Sequence, residues 1–423
     1  MDSRAKCETD GLIHTPSEQC RGRFNLWHYI FFNYVFLHNC IDRPCLLGQG
    51  IPVKTNSNPF FFESPSDNWA FTDRDELMEE LCAFMGERGR RLLIHGLRRM
   101  GKTSLILNAG TISKECLVFV DASSATSLNE VAQALLSAAP REDESLLPKL
   151  LRLAKEQFSS VTVDAEGIKL SAELRPKDGP KNLVSVLNYL NARAGAEGRP
   201  WTICFDEFQD MRILGGARID WQLRSCIQHL RNVNFIFSGS DYRLVKWMTA
   251  PNAAFFRQLQ MMEVGPIDPA LLIKWIADRA KAGGLAHFPF GRDIINMAGP
   301  RTGDVIQMAM VCFTIASKAD TPEDQVAAKA FDLLVFRQMT HEFSARWHDC
   351  TLPQRAILRA IAQGFAPTAA ETAIKFGLHS PSTAQAAARA LTERQILVRG
   401  SNNEIQFDSP FFKHWCKAQG VQP

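Results

Sequence analysis

The sequence predicts an α/β protein: a parallel sheet covered by helices, then an all-helical unit, then a winged helix-turn-helix. Three observations predict this. Between residues 58 and 265, short continuous apolar runs at Leu92–Ile94, Leu117–Val120, Thr202–Phe205 and Val233–Phe237 alternate with helical patterns. Strands that are apolar on both faces belong in a sheet buried between helix layers. From residue 266 to 345 the periodicity is helical throughout, with helices near Pro269–Ala282, Gly303–Ser317 and Asp324–Glu342. From 346 to 423, three short helical patterns precede a strand–turn–strand, the outline of a winged helix.

Each element has a local reason. Thr72 caps a helix whose apolar face is Leu77, Leu81 and Phe84, and this helix opens the folded part. Between the second and third strands lie helices near Ser127–Ala138 and Leu146–Phe158 and another from Asn182 to Ala194. The alternation of Val161–Asp164 and Ile168–Leu174 about Glu166-Gly167 predicts an inserted hairpin. In the last unit Ala369–Phe376 is the second helix. Ser380 caps the third, with Pro381 in its first turn and Thr383, Gln385, Arg389 and Arg394 along it. Strands at Ile396–Arg399 and Glu404–Phe407 flank the turn Gly400-Ser401-Asn402-Asn403. No fixed-period repeat or low-complexity tract interrupts the pattern.

A chain of 423 residues exceeds what one hydrophobic core supports, so several packed units are expected. Hydrophobic residues at 46% and charged residues at 22% exclude a largely disordered or fibrous chain. The net charge of +3, from 48 basic and 45 acidic residues, gives no whole-molecule field for nucleic acid or a membrane. Cys82, Cys116, Cys204, Cys226, Cys312, Cys350 and Cys416 stand singly in apolar segments and read as reduced core residues of a cytoplasmic protein. The absence of any CxxC pair argues against a zinc ribbon, and no structural metal is expected. Residues 1–57 differ in character. The aromatic run Phe24–Leu37, broken by Asn25, His28 and Asn33, is too short to span a membrane, and no signal-cleavage site follows it. This segment is expected to be a poorly ordered extension or an over-long start.

The chemistry is concentrated after the first strand. Gly96-Leu97-Arg98-Arg99-Met100-Gly101-Lys102-Thr103 fits GxxxxGK[ST] without mismatch, between a predicted strand and a helix that continues through Ser104. The glycines let main-chain N–H groups curl around a phosphate at the positive end of a helix. Lys102 is expected to reach the β- and γ-phosphates of ATP and Thr103 to hold magnesium. The loop makes the sheet unit a P-loop NTPase domain. Asp206, at the end of the third apolar strand, is the expected second magnesium ligand, and Glu207 the group that polarises the attacking water. Ser238 in Ser238-Gly239-Ser240 ends the next strand, where it orients the water or γ-phosphate or simply begins a turn. Arg257 and Arg301 are candidates for stabilising charge on the transferring phosphoryl group.

These segments resemble the archaeal-type ATPase family of the AAA+ and STAND-like branch of P-loop NTPases, over residues 58 to 415. The resemblance is carried by Asn58-Pro59-Phe60 leading to Phe71–Leu77, the Arg-Arg of the loop, Asp206-Glu207-Phe208-Gln209, Ser238-Gly239-Ser240, and Asp408-Ser409-Pro410-Phe411-Phe412 with Trp415. It implies a nucleotide-binding core at 58–265, a helical lid at 266–345 with a sensor-like residue, and a winged helix at 346–423. It also implies that Phe71 borders the adenine. The lid departs from the family pattern at Gly299-Pro300-Arg301, where Gly-x-Pro or Gly-His-Pro is usual.

From Leu352 onward eight basic residues face four acidic ones, a local excess compatible with phosphate contacts from the winged helix. The third helix is mostly alanine on its exposed side and offers few base-reading groups. Two functions therefore stay open: an ATPase whose winged helix binds double-stranded DNA under nucleotide control, and a signalling or defence switch whose winged helix contacts protein. A P-loop kinase is disfavoured by the Asp-Glu pair. Arginine fingers shared between subunits would make the protein a homo-oligomer.

Overall fold

The computed structural model describes residues 58–62, 74–141, 144–163, 170–172, 174, 178–240, 242–318, 320–367, 369–399 and 404–419. The N-terminal extension, Phe71, the Thr72 cap, the turn at Glu166-Gly167 and the wing turn at 400–403 lie outside the described residues. Among those described, no helix is long and apolar enough to cross a membrane.

Helix α1 (Asp75–Gly86) leads into β1 (Arg91–His95), α2 (Lys102–Ser113) and β2 (Cys116–Asp121). Helices α3 (Leu128–Ala138) and α4 (Leu147–Gln157), the antiparallel hairpin of β3 (Val161–Val163) and β4 (Leu170–Ala172), and α5 (Gly179–Glu197) separate β2 from β5 (Trp201–Asp206). Then follow α6 (Met211–Gly215), α7 (Ile219–Ile227), β6 (Val233–Gly239), α8 (Tyr242–Thr249) and β7 (Gln260–Glu263). The sheet is parallel throughout, in the order β2-β5-β6-β1-β7. Strands β5 and β6 are buried along their whole length, as their unbroken apolar runs predict. The edge strand β7 escapes sequence reading because Gln260-Met261-Met262-Glu263 is short and half polar.

A single polar residue locks this sheet to its first helix. Asn234 on β6 is fully buried. Its Nδ2 donates to the carbonyls of Phe84 (3.3 Å), Met85 (3.3 Å) and Glu87 (2.7 Å), and its Oδ1 accepts from the Arg90 amide at 3.0 Å. The Phe84 carbonyl also accepts from the Glu87 amide at 3.2 Å; for the carbonyls that follow it, past the last intrahelical bond, Asn234 replaces the solvent lost on burial.

The helical part comprises α9 (Pro269–Ala282), α10 (Gly291–Ala298), α11 (Thr302–Ala316), α12 (Glu323–Leu333), a π-helical turn at Leu334–Gln338, and α13 (Thr340–His348). The winged helix follows as α14 (Leu352–Ala362), α15 (Ala370–Lys375), α16 (Pro381–Glu393), β8 (Leu397–Arg399), β9 (Ile405–Phe407) and α17 (Pro410–Ala418). Ser380 caps α16, accepting from the Thr383 amide as its position predicts. Helices α10 and α17 add to the expected set: each is short, with Pro or Gly at its margins, and is held by packing rather than by a long periodic pattern.

The cores divide differently from the linear order. One buried cluster joins helical unit and winged helix, from Ile267 through Phe343 to Trp415 and Cys416. Phe343 packs on Phe412 at 5.2 Å between ring centres, Phe331 on Phe411 at 5.8 Å, and the Trp415 indole donates to Thr340 Oγ1 at 3.0 Å. Phe60 belongs to this same cluster, against Trp275, Phe288 and Phe313, and Asn58 Nδ2 donates to the Met310 carbonyl at 2.8 Å. Thus Asn58–Phe62, which sequence order assigns to the sheet unit, packs on the lid, because its rings find a lid cavity of matching apolarity. Replacing Asn234 by Ala should cost about 1–3 kcal/mol, as the Met85 and Glu87 carbonyls and the Arg90 amide lose this side-chain partner, measured as a lower urea midpoint with unchanged slope.

Candidate phosphate-binding and hydrolytic site

Strand β1 ends at His95 and the loop Gly96–Gly101 turns directly into α2. Gly96 has φ 153°, and a Cβ there would lie 2.4 Å from the Val264 carbonyl oxygen, so only glycine passes this point. Arg99 (φ 63°) and Gly101 (φ 89°) both take the left-handed conformation. Left-handed residues in such a loop aim successive N–H groups into one concavity, the geometry of an anion nest. Met100 is buried and anchors the loop, while Arg74, also buried, donates from Nη2 to the Met100 carbonyl at 2.7 Å and to that of Gly265 at 3.0 Å. Leu97, Arg98 and Arg99 are exposed.

Lys102 and Thr103 open α2, followed by Ser104, so their amides sit at the helix end where N–H groups lack partners in the helix. The Lys102 ammonium is turned back onto the loop, donating to the carbonyls of Gly96 and Leu97 at 3.0 Å each. Burial pushes its pKa down, while the charges of Glu207 and Asp206 pull it back up. The Thr103 hydroxyl donates to Asp206 Oδ2 at 2.7 Å. These two residues stand 103 positions apart in sequence. Asp206 is only 5% exposed, and burial pushes its carboxyl up against the opposing Thr103 hydrogen bond.

Glu207 follows in the left-handed region, at φ 46° and ψ 47°, a conformation that costs a non-glycine residue roughly 1–3 kcal/mol and turns the side chain out of the strand line. Its carboxylate accepts from Ser240 Oγ at 2.9 Å and from Gln209 Nε2. Arg98 Nε in turn donates to Ser240 Oγ at 3.3 Å. Ser238 is fully buried at the end of β6 beside Asp206. A Cβ on its neighbour Gly239 would lie 2.3 Å from Leu244 and 2.5 Å from Gln209 Oε1, so a larger residue would displace these side chains.

The structure therefore brings together the loop, Lys102, Thr103, Asp206, Glu207 and Ser238. Arg257 is exposed with φ 54° and lies over the Phe256 ring at 5.1 Å from its centre, outside this cluster. Arg301 stands near enough to the loop for its charge to push the Lys102 pKa down, and it is already paired. It is 4% exposed, and its guanidinium forks onto Asp408, Nη1 to Oδ2 at 2.8 Å and Nη2 to Oδ1 at 2.5 Å. A guanidinium buried so deeply needs a paired carboxylate, and Asp408 takes the donors that a phosphate would use. Sequence reasoning missed Arg74, Gln209 and Ser240 as site residues. Ser240 was legible only as the second serine of Ser238-Gly239-Ser240: strand alternation and the following turn decide which serine meets Glu207.

The residues present fit a nucleotide triphosphate with magnesium. A glycine-curved loop presents amides at a helix start, and a hydroxyl and a carboxylate lie side by side, the hard oxygen donors that magnesium takes. Arg74→Met should lower the melting temperature of the nucleotide-free protein, by the equivalent of about 2 kcal/mol for charged hydrogen bonds lost from the loop, read by scanning calorimetry.

Residues 341–418 match the family model described as "Probable winged helix domain". No curated protein matches the sequence. Among solved structures, the fold is similar to the Walker-type ATPase of Pyrococcus abyssi, at 16% identity and a TM-score of 0.59, over 85% of this chain and 99% of that one. Weaker likenesses are to the Aeropyrum pernix ORC1 protein in complex with DNA (13%, TM-score 0.48, 83% and 93%) and to the Thermotoga maritima RuvB Holliday junction branch migration motor (13%, TM-score 0.41, 82% and 95%). With its parallel sheet, phosphate loop and terminal winged helix, the chain has the fold of a Walker-type P-loop ATPase, as the archaeal-type resemblance of its sequence led us to expect.

Proposed function

We propose that this protein binds ATP with magnesium at Gly96–Thr103 and Ser104 and hydrolyses it, and that its winged helix binds double-stranded DNA. The observation that carries the first part is the approach of Thr103 to Asp206 at 2.7 Å, which joins loop and strand end into one oxygen-donor site. Thr103 and Asp206 would hold the magnesium, which would supply neutralisation of phosphate charge. Lys102 exchanges its carbonyl acceptors on Gly96 and Leu97 for phosphate oxygens, and the loop amides orient the phosphates. Glu207 accepts a proton from the attacking water on a carboxylate oxygen, and Ser238 lines the same strand end. Phe71 is assigned to the adenine only through the family resemblance. Arg257, exposed and away from its own site, suits a neighbouring copy's phosphates in a homo-oligomer. The free cysteines among the described residues support the reading of a cytoplasmic protein.

The DNA part rests on α16, whose exposed face carries Ser382, Gln385 and Arg389. One observation favours the alternative of a protein-contacting switch: Thr392, Gln395, Leu397, Val398 and Arg399 line a cavity with Leu97, Arg98 and Ser240, so this edge of the winged helix faces the ATPase unit. Arg389 is also drawn to Glu393 at 3.1 Å.

Two experiments test the proposal. In calorimetry and steady-state turnover, Lys102→Ala should lose ATP uptake, whereas Glu207→Gln should keep it and lose about 10²–10⁴ in kcat; turnover of Glu207→Gln at the parent rate would remove Glu207 as base. Duplex DNA affinity should fall steeply with added salt and weaken in Arg389→Ala and Arg399→Ala. If no duplex binds at low salt, the winged helix belongs to the protein-contacting reading.

A further inference from the structure

The apolar cores of this molecule stop at the border between its sheet and its lid. Among the described residues, the cluster containing lid and winged helix runs from Phe60 and Ile267 to Cys416, while the clusters on the sheet end at Phe255 and Val264. Lid and winged helix are thus welded into one body, with the Arg301–Asp408 pair as an internal staple between the start of α11 and the start of α17. What joins that body to the phosphate loop is polar and local.

Arg99 makes the junction. Its carbonyl accepts from the Gly303 amide at 2.9 Å, and its Nη1 donates to Asp304 Oδ1 at 2.6 Å and to Gln307 Oε1 at 3.3 Å. Gly303 eases this approach, because a Cβ there would meet the Arg99 Cβ at 3.0 Å and push on it by a few tenths of an ångström. Asp304 is 1% exposed, and its second oxygen has no hydrogen-bond partner, so Arg99 is the largest favourable partner of a buried carboxylate. Burial pushes the Asp304 carboxyl up, and Arg99, then Arg301, pull it back while Asp408 opposes them. Arg99 also has left-handed backbone inside the loop that would curl around phosphate, three residues before Lys102. Any change of loop shape on phosphate entry therefore moves the guanidinium that holds the lid.

We propose that Arg99 and Asp304 form a latch through which phosphate-loop occupancy and the seating of the joined lid and winged helix control each other. The latch is a positioning device, not part of the reacting chemistry, and its nucleotide arm rests on the function proposed above. Linkage makes the control reciprocal: a seated body tightens nucleotide, and nucleotide seats the body by the same factor. Through the weld at Phe343, Phe412 and Trp415, the movement reaches the winged helix without a separate joint.

The test has two readouts on the full chain. In nucleotide-free protein, hydrogen exchange of the 297–306 region should quicken about tenfold in Arg99→Gln and in Asp304→Asn, with β5 and β6 protected as in the parent. Glu342→Gln, which breaks the Arg346 pair in the same cavity while leaving the Arg99–Asp304 pair intact, should exchange as the parent. Calorimetric titration with ATP and magnesium should show Kd raised about tenfold in each single variant and no further in the double variant. Parent-like exchange in both single variants, or Kd effects that multiply in the double, would overturn the latch. A parent that takes up no ATP would overturn the proposed function instead, leaving the exchange readout to judge the latch.

Discussion

The hydrogen bond from Thr103 to Asp206 ties together the two parts of the chain that only the sheet can bring near each other. It depends on strand order. With β6 between β5 and β1, the carboxyl ends of three strands lie abreast: the phosphate loop after β1, Ser238 at the end of β6 and Asp206 at the end of β5. Register holds the alignment, since His95 pairs with Gly239 and Phe237 with Phe205. Open parallel sheets place ligands in such a crevice because their connections leave on both sides of it. Burial then makes the site reactive: Asp206 and Lys102 both lie where their charged forms are disfavoured unless a partner is present.

Around this crevice the molecule spends polar groups where a plain core would use apolar ones. Asn234 serves the end of α1, Arg74 serves the loop, and Arg301 and Asp408 serve the join of lid and winged helix. Each occupies a place where backbone or charge would otherwise be buried unpaired. The consequence is a polar-bonded frame on both sides of the phosphate loop, with the loop itself as the contact between them.

Much of this was legible in the sequence, for reasons that differ by element. The unbroken apolar runs at β5 and β6 could only be interior strands, and Gly96–Thr103 combined glycines, lysine and hydroxyl at a spacing that has one common physical use. Ser380 before Pro381 marked a helix start that the structure reproduces. The edge strand β7 and the short helices α10 and α17 were not legible, because their stability comes from neighbours and not from their own periodicity. The pairing of Arg301 was not legible for a related cause: an arginine at a helix start has the same spelling whether its partner is a phosphate or Asp408, which lies 107 residues away.

What the sequence determined by itself was local chemistry: a backbone able to curl around phosphate, an amine and a hydroxyl at a helix start, and an acidic pair ending a buried strand. Those follow from φ preferences, side-chain type and hydrophobic period, which act over a few residues. The tertiary structure alone decided which serine holds Glu207, that Phe60 belongs to the lid, that lid and winged helix share one core, and that Arg99 meets Asp304. Such pairings depend on how distant faces pack, and packing free energy is shared among residues far apart in the chain.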